Sequence, residues 1–117
     1  MTDPTSASAY AIEPMWFVEA TYAPDAAETR TPFRAEHLAE VARRLAAGIY
    51  ADAGAFADVS ASILLVRAAD EAEAIAIVSD DVYMRNGVWV EVRARAFGRV
   101  TGAAWMSAPE PPRASAG

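Results

Sequence analysis

The chain has 117 residues, 54% of them hydrophobic and 22% charged, and a formal net charge of −6. A chain of this size makes one globular domain that buries only about two thirds of its unfolded surface, so a second subunit covering one face is a natural supplement. Its acidity argues against nucleic acid and anionic membranes as partners, because both need a basic patch.

Residue types narrow the chemistry further. There is no cysteine and no lysine, and His37 is the sole histidine. Disulfides, thiol catalysis and Schiff-base or pyridoxal chemistry therefore lack their side chains, and one histidine is too few for a zinc site without an unusual carboxylate cluster. No metal and no cofactor are expected. Neither a glycine-rich phosphate loop nor a serine in a nucleophile elbow is present, which leaves cofactor-free proton transfer. Met1 to Ala9 has no cationic region of the kind that opens a signal peptide, and no apolar run approaches the roughly 20 residues that span a bilayer; the expected location is the cytoplasm. Ten arginines with no lysine, amid abundant alanine, point to a GC-rich bacterial genome.

Domain boundaries come from composition. Residues 1–13 are expected to be a flexible N-terminal segment, 14–100 the folded domain, and 101–117 a C-terminal tail, largely disordered; Ser, Ala and Pro dominate 1–9 and 107–117. In chain order, Met15 to Tyr22 reads as a strand that ends at Ala23, Pro24 and Asp25. A helix follows from about Pro32 to Ala47, with Thr31 as cap, Pro32 at the first helical position and Gly48 closing it. At about 100° per residue Leu38, Val41, Ala42, Leu45 and Ile49 form its apolar stripe, the expected buried face, with Glu36, Glu40 and Arg43 opposite. Arg34 projects into the angular range of that stripe and His37 sits on its border, so both are expected to reach the edge of the core.

A short strand is expected over Ile49 to Ala53, and a stronger one over Ser60 to Arg67. Asp70, Glu71 and Glu73 announce a second helix through Ala74, Ile75, Ile77 and Val78, ending at Asp80, Asp81, Val82 and Tyr83. After a turn at Asn86 and Gly87, the last strand runs from Val88 to Phe97 and alternates cleanly: Val88, Val90, Val92, Ala94 and Ala96 on one side, Trp89, Glu91, Arg93, Arg95 and Phe97 on the other.

Strand, helix, strand, strand, helix, strand is the ferredoxin-like βαββαβ order, an α+β fold with one antiparallel sheet and both helices on one face. The open face then carries Trp89, Phe97, Glu91, Arg93 and Arg95. Aromatics mixed with charges suit a half-buried interface or a polar-lined cavity, so a homodimer is expected, with Trp89 and Arg93 as candidate substrate contacts.

Arg34, His37 and Leu38, then Gly48, Ala53 and Gly54, then Asp81, Val82 and Tyr83 followed by Gly87, Val88 and Trp89, resemble the YciI-like (YCII-related) proteins over roughly Trp16 to Val100. The resemblance implies a ferredoxin-like subunit paired into a dimeric α+β barrel. It also implies a His and Asp active site, carried here by His37 and Asp81, with Arg34 as the arginine of the first motif. The family commonly has proline after the aspartate, and Val82 stands in that place. Because the family includes a dehydrochlorinase of a chlorinated hydroxyhydroquinone, the implied activity is a cofactor-independent lyase or isomerase, dehydrochlorinase- or cyclase-like, acting on a phenolic or enolisable metabolite. In that reading His37 shuttles a proton, Asp81 orients its ring, Arg34 steadies oxyanion charge, and Tyr83 donates a proton or packs. The alternative is a non-catalytic dimeric domain that binds a ligand or a partner protein in the same cavity.

Overall fold

The computed structural model describes residues 10–102; of the expected flexible segment 1–13 and tail 101–117, residues 10–13 and 101–102 belong to strands and the rest lies outside the described residues. Four strands, β1 (Tyr10–Tyr22), β2 (Tyr50–Ala55), β3 (Ala61–Val66) and β4 (Trp89–Gly102), form one sheet in the order β2-β3-β1-β4. With helices α1 (Ala26–Thr29), α2 (Arg34–Ala46), α3 (Glu71–Ser79) and α4 (Val82–Arg85), this is the ferredoxin-like α+β arrangement. Both outer runs are longer than the sequence reading, β1 beginning at Tyr10 and β4 ending at Gly102. Met15–Phe97 is one compact unit. In the other unit, Arg99 pairs with Glu13 at 3.3 Å, and Gly98 makes room for Ile12, whose Cγ2 would lie 2.8 Å from a Cβ at 98.

Register settles which side chains meet. On β1 and β3, Trp16↔Val66, Val18↔Leu64 and Ala20↔Ser62 share the inner side, where Val18, Ala20, Leu64 and Val66 join the core. Phe17↔Leu65 and Glu19↔Ile63 share the outer side, and all four remain half-buried. A bulge between Tyr50 and Asp52 shifts β2 by one residue, so Tyr50, opposite Val66, and Ala53, opposite Leu64, both reach the inner side. Gly48 closes α2 and Gly87 ends the turn before β4, at φ +78 and +73, where a side chain would strain the backbone.

Helix α2 corrects the expected burial. Leu38, Leu45 and Ile49 are 48%, 41% and 36% exposed, whereas His37 and Glu40 are buried. The buried face is thus rotated by about one residue's arc from the apolar stripe, because α2 packs on α4 and meets its N-terminal turn with polar groups. Thr31 does not cap the helix either. It lies inside a 3-10 turn, Thr31–Phe33, that precedes α2, with Phe33 N–H bonded to Arg30 O at 2.9 Å.

The second helix is also interrupted. Asp70, expected in the first turn, instead caps α3 by accepting Glu73 N–H at 2.8 Å. The helix stops at Ser79, Asp81 takes an extended backbone at φ −72 and ψ 145, and a separate turn, α4, starts at Val82. On β4 the expected alternation holds from Glu91 onward: Val92 and Ala94 pack on the core, while Arg93 pairs with Glu19, and Arg95 and Phe97 lie against Phe17. It fails at the entrance. Trp89, expected on the open face, is 1% exposed in the inner cluster with Tyr22 and Tyr83, because the turn at 86–88 delivers its ring inward.

Candidate active site

Two elements bring the dyad together. His37 stands in the first turns of α2 and Asp81 caps α4, so helix packing presents the imidazole edge to the carboxylate. His37 Nδ1 lies 2.8 Å from Asp81 Oδ1 and 2.9 Å from Oδ2. Asp81 is fully buried, and its Oδ1 also accepts Tyr83 N–H at 2.8 Å. An ionised carboxylate only accepts, so Nδ1 carries a proton towards it, and in the neutral ring Nε2 keeps its lone pair.

Aromatic rings fix the plane of the imidazole. Tyr83 stacks on His37 with centroids 3.8 Å apart and planes 7° from parallel, and Trp89 meets the ring edge-on at 5.3 Å and 86°. Between them the histidine has little freedom to rotate away from Asp81.

His37, Tyr83 and Trp89 line a cavity of about 150 Å³ together with Arg34, Arg30, Tyr22, Ser62, Leu38 and Gly54. Among the described residues neither Arg30 nor Arg34 is paired with a carboxylate, so both guanidiniums keep their forks for a ligand. Ser62 Oγ donates to Tyr22 Oη at 3.2 Å, and the buried Trp89 indole N–H has no hydrogen-bond partner among the described residues. Burial raises the Tyr83 phenol above its ordinary value; Tyr22 and Asp81 add to this, and Arg30 and Arg34 oppose it. Tyr83 therefore stays protonated at neutral pH and offers a donor.

Of the sequence candidates, His37, Asp81, Arg34, Tyr83 and Trp89 meet at this place. Arg93 does not. It lies on the outer side of β4, 3.4 Å from Glu19 and 3.9 Å from Glu91, lining a different cavity with Phe17 and Ile75. Sequence reasoning missed Tyr22, Arg30 and Ser62, which come from a strand end, a loop and a second strand and share no local pattern. It also missed Glu40, assigned to solvent by the helical period. No three His, Asp or Glu side chains among the described residues converge as metal ligands would.

The fold and this geometry define a ferredoxin-like α+β domain with a buried histidine–aspartate pair at a small cavity. The chain belongs to the YCII-related domain family, whose model matches residues 15–98. Among solved structures it is similar to the 5-chloro-2-hydroxyhydroquinone dehydrochlorinase (TftG) from Burkholderia phenoliruptrix AC1100, in complex with 2,5-dihydroxybenzoquinone. The TM-score is 0.61 and the identity 17%, over 71% of this chain and 92% of that one, a likeness of fold. No individually curated protein matches the sequence.

Proposed function

We propose that the protein is a cofactor-independent enzyme that moves a proton on a small phenolic or enolisable metabolite, as a lyase or isomerase of the dehydrochlorinase or cyclase kind. The carrying observation is the buried His37–Asp81 pair, 2.8 Å apart, beside a cavity lined by the Arg30 and Arg34 guanidiniums. His37 Nε2 removes a proton from an O–H or an activated C–H, and the electron pair moves onto the substrate's oxygen. Arg34, Arg30 and the Tyr83 hydroxyl stabilise that oxygen as charge develops. Asp81 holds the tautomer and balances the imidazolium. The proton returns to another atom in an isomerisation, or a leaving group departs with the electron pair in an elimination.

The reading extends to a cytoplasmic homodimer. Phe17, Phe97, Ile63 and Leu65 give the outer sheet face an apolar patch beside charges, the kind of surface a second copy covers. The solved structure similar in fold is a dehydrochlorinase with a dihydroxyquinone bound, which supports the substrate class. The test uses 5-chloro-2-hydroxyhydroquinone for turnover, read as chloride release, and 2,5-dihydroxybenzoquinone for binding. His37→Ala is expected to keep quinone affinity within a few-fold and to lose turnover. If wild type binds the quinone and a wider panel of phenols and enols shows no turnover, the protein is a binding domain.

A further inference from the structure

Helix α2 and the start of α4 are joined twice. The first rung is His37 to Asp81. One helical turn further along α2, Glu40 Oε1 accepts Val82 N–H at 3.0 Å, and Glu40 Oε2 lies 3.5 Å from Arg85 Nη2. Glu40 is only 9% exposed, unusual for a carboxylate. Val82 N–H is one of the donors that a helix start leaves without an intrahelical partner, and Glu40 is the side chain that takes it.

We propose that Glu40 is a positioning residue: by holding Val82 N–H it fixes the backbone of Asp81, and with it the angle at which both carboxylate oxygens face His37 Nδ1. Asp81 lies between two helices in extended conformation. Its own backbone bonds, N–H to Val78 O at 3.1 Å and carbonyl to Met84 and Arg85 N–H at 2.9 and 3.1 Å, tie it to α3 and α4, while Glu40 ties the segment to the helix that carries His37. A shift of about half an ångström there would favour one oxygen and tilt the ring off Tyr83. The catalytic consequence rests on the acid–base reading above, whereas the structural one rests on geometry alone.

The same backbone suggests a chemical substitute for the rung. Asp81 at ψ 145 has the conformation required of a residue before proline, and Val82 is at the first helical position, where proline fits. A proline at 82 would remove the donor and stiffen the segment, making Glu40 dispensable. The ring ¹⁵N signals of the sole histidine report its tautomer without any substrate.

Four proteins are compared with wild type: Glu40→Gln, Glu40→Ala, Val82→Pro, and Glu40→Ala with Val82→Pro. Glu40→Gln keeps an acceptor for Val82 N–H and should retain the Nδ1–H tautomer and kcat within about threefold. Glu40→Ala should mix the tautomers and lower kcat by about tenfold or more with KM within about twofold, the cost of a misplaced catalytic group. Adding Val82→Pro should restore both. If Glu40→Ala does not fold, recovery of folding and of a single tautomer in the double variant carries the same meaning. The proposal is overturned if folded Glu40→Ala keeps the wild-type ring signals, if Glu40→Gln is as damaged as Glu40→Ala, or if the double variant is no better than Glu40→Ala. Absence of turnover in wild type would overturn the catalytic reading and leave the positioning role to the ring signals.

Discussion

The two faces of the sheet carry similar residue types with opposite consequences. Inside, His37, Asp81, Tyr83 and Trp89 form a cluster in which the carboxylate is fully buried and bonded at 2.8 Å to both a ring nitrogen and a backbone N–H. Outside, Glu19, Arg93 and Glu91 pair at 3.4 and 3.9 Å beside Phe17 and Phe97, with the Arg93 side chain 62% exposed. Exposed pairs of that length are worth about 0–1 kcal/mol, whereas breaking a buried pair leaves an uncompensated charge and costs several times more. Aromatic and charged residues on a strand thus say little until burial is known. The same composition builds a buried histidine–carboxylate pair on one side and, on our reading, a subunit contact on the other.

The sharpest way to break this comparison is one charge on each face. Trp89→Asp removes a 1%-exposed indole from the core and buries a carboxylate without a partner. The cost exceeds about 5 kcal/mol, comparable to the whole stability of a small domain, so the variant should be insoluble or unfolded by circular dichroism. Phe97→Asp, at a 41%-exposed position, should stay folded. In our homodimer reading it sediments as a 12.4 kDa species while wild type does not. Equal melting temperatures for the two variants would erase the distinction between the faces.

Next comes Asp81→Asn, which keeps the shape and removes the charge. An asparagine amide can donate to Nδ1, so the imidazole proton moves to Nε2 and the base is lost. Turnover should fall by about 10²-fold or more, and the ring ¹⁵N signals should exchange their roles. The carbonyl oxygen of the introduced amide can still accept Tyr83 N–H, so the melting temperature changes little.

These variants also show what the sequence makes legible. Element order follows from periodicity and punctuation: Gly48, Gly87 and the Asp70 cap sit where their chemistry demands. The burial of α2 is not legible, because a 100° period finds an apolar stripe without knowing that the helix faces the polar N-terminal turn of α4. That period alone turns Leu38 and Leu45 inward and Glu40 outward. Trp89 escapes for a related reason: alternation describes the middle of a strand, while its first residue follows the turn. His37 and Asp81 are named by resemblance, since 44 residues separate them and no local rule joins them.

A smaller effect sharpens the inner face alone. Burial pushes the Tyr50 phenol up to about 12; Asp81 and Glu40 add to this and Arg44 opposes it. A folded-state pKa raised above the unfolded value of about 10 gives stability that is fully present below pH 10 and is lost as pH rises towards 12. Tyr50→Phe removes that titration and a buried hydroxyl beside the Arg44 guanidinium. Denaturant midpoints should fall less steeply than those of wild type between about pH 10 and 12. An alkaline limb identical to wild type would assign that loss to other groups.

The smallest expected effect lies on the outer face and tests the only sequence candidate that the structure keeps away from His37. Arg93 holds Glu19 and Glu91 in solvent, through contacts long enough for salt to screen. Arg93→Ala should change stability by no more than about 0.5 kcal/mol, and that difference should shrink at high ionic strength. KM should stay within about twofold of wild type, because the side chain lines a cavity with Phe17 and Ile75 on the far side of β4 from the imidazole. In a dimer, though, the outer face of one subunit approaches its partner, and a guanidinium there could reach across. A roughly tenfold rise in KM for Arg93→Ala, with kcat unchanged and the subunits still paired in sedimentation, would return Arg93 to substrate binding through the second subunit. An unchanged KM fixes its role as a surface ion pair, and the division of labour between the two faces holds.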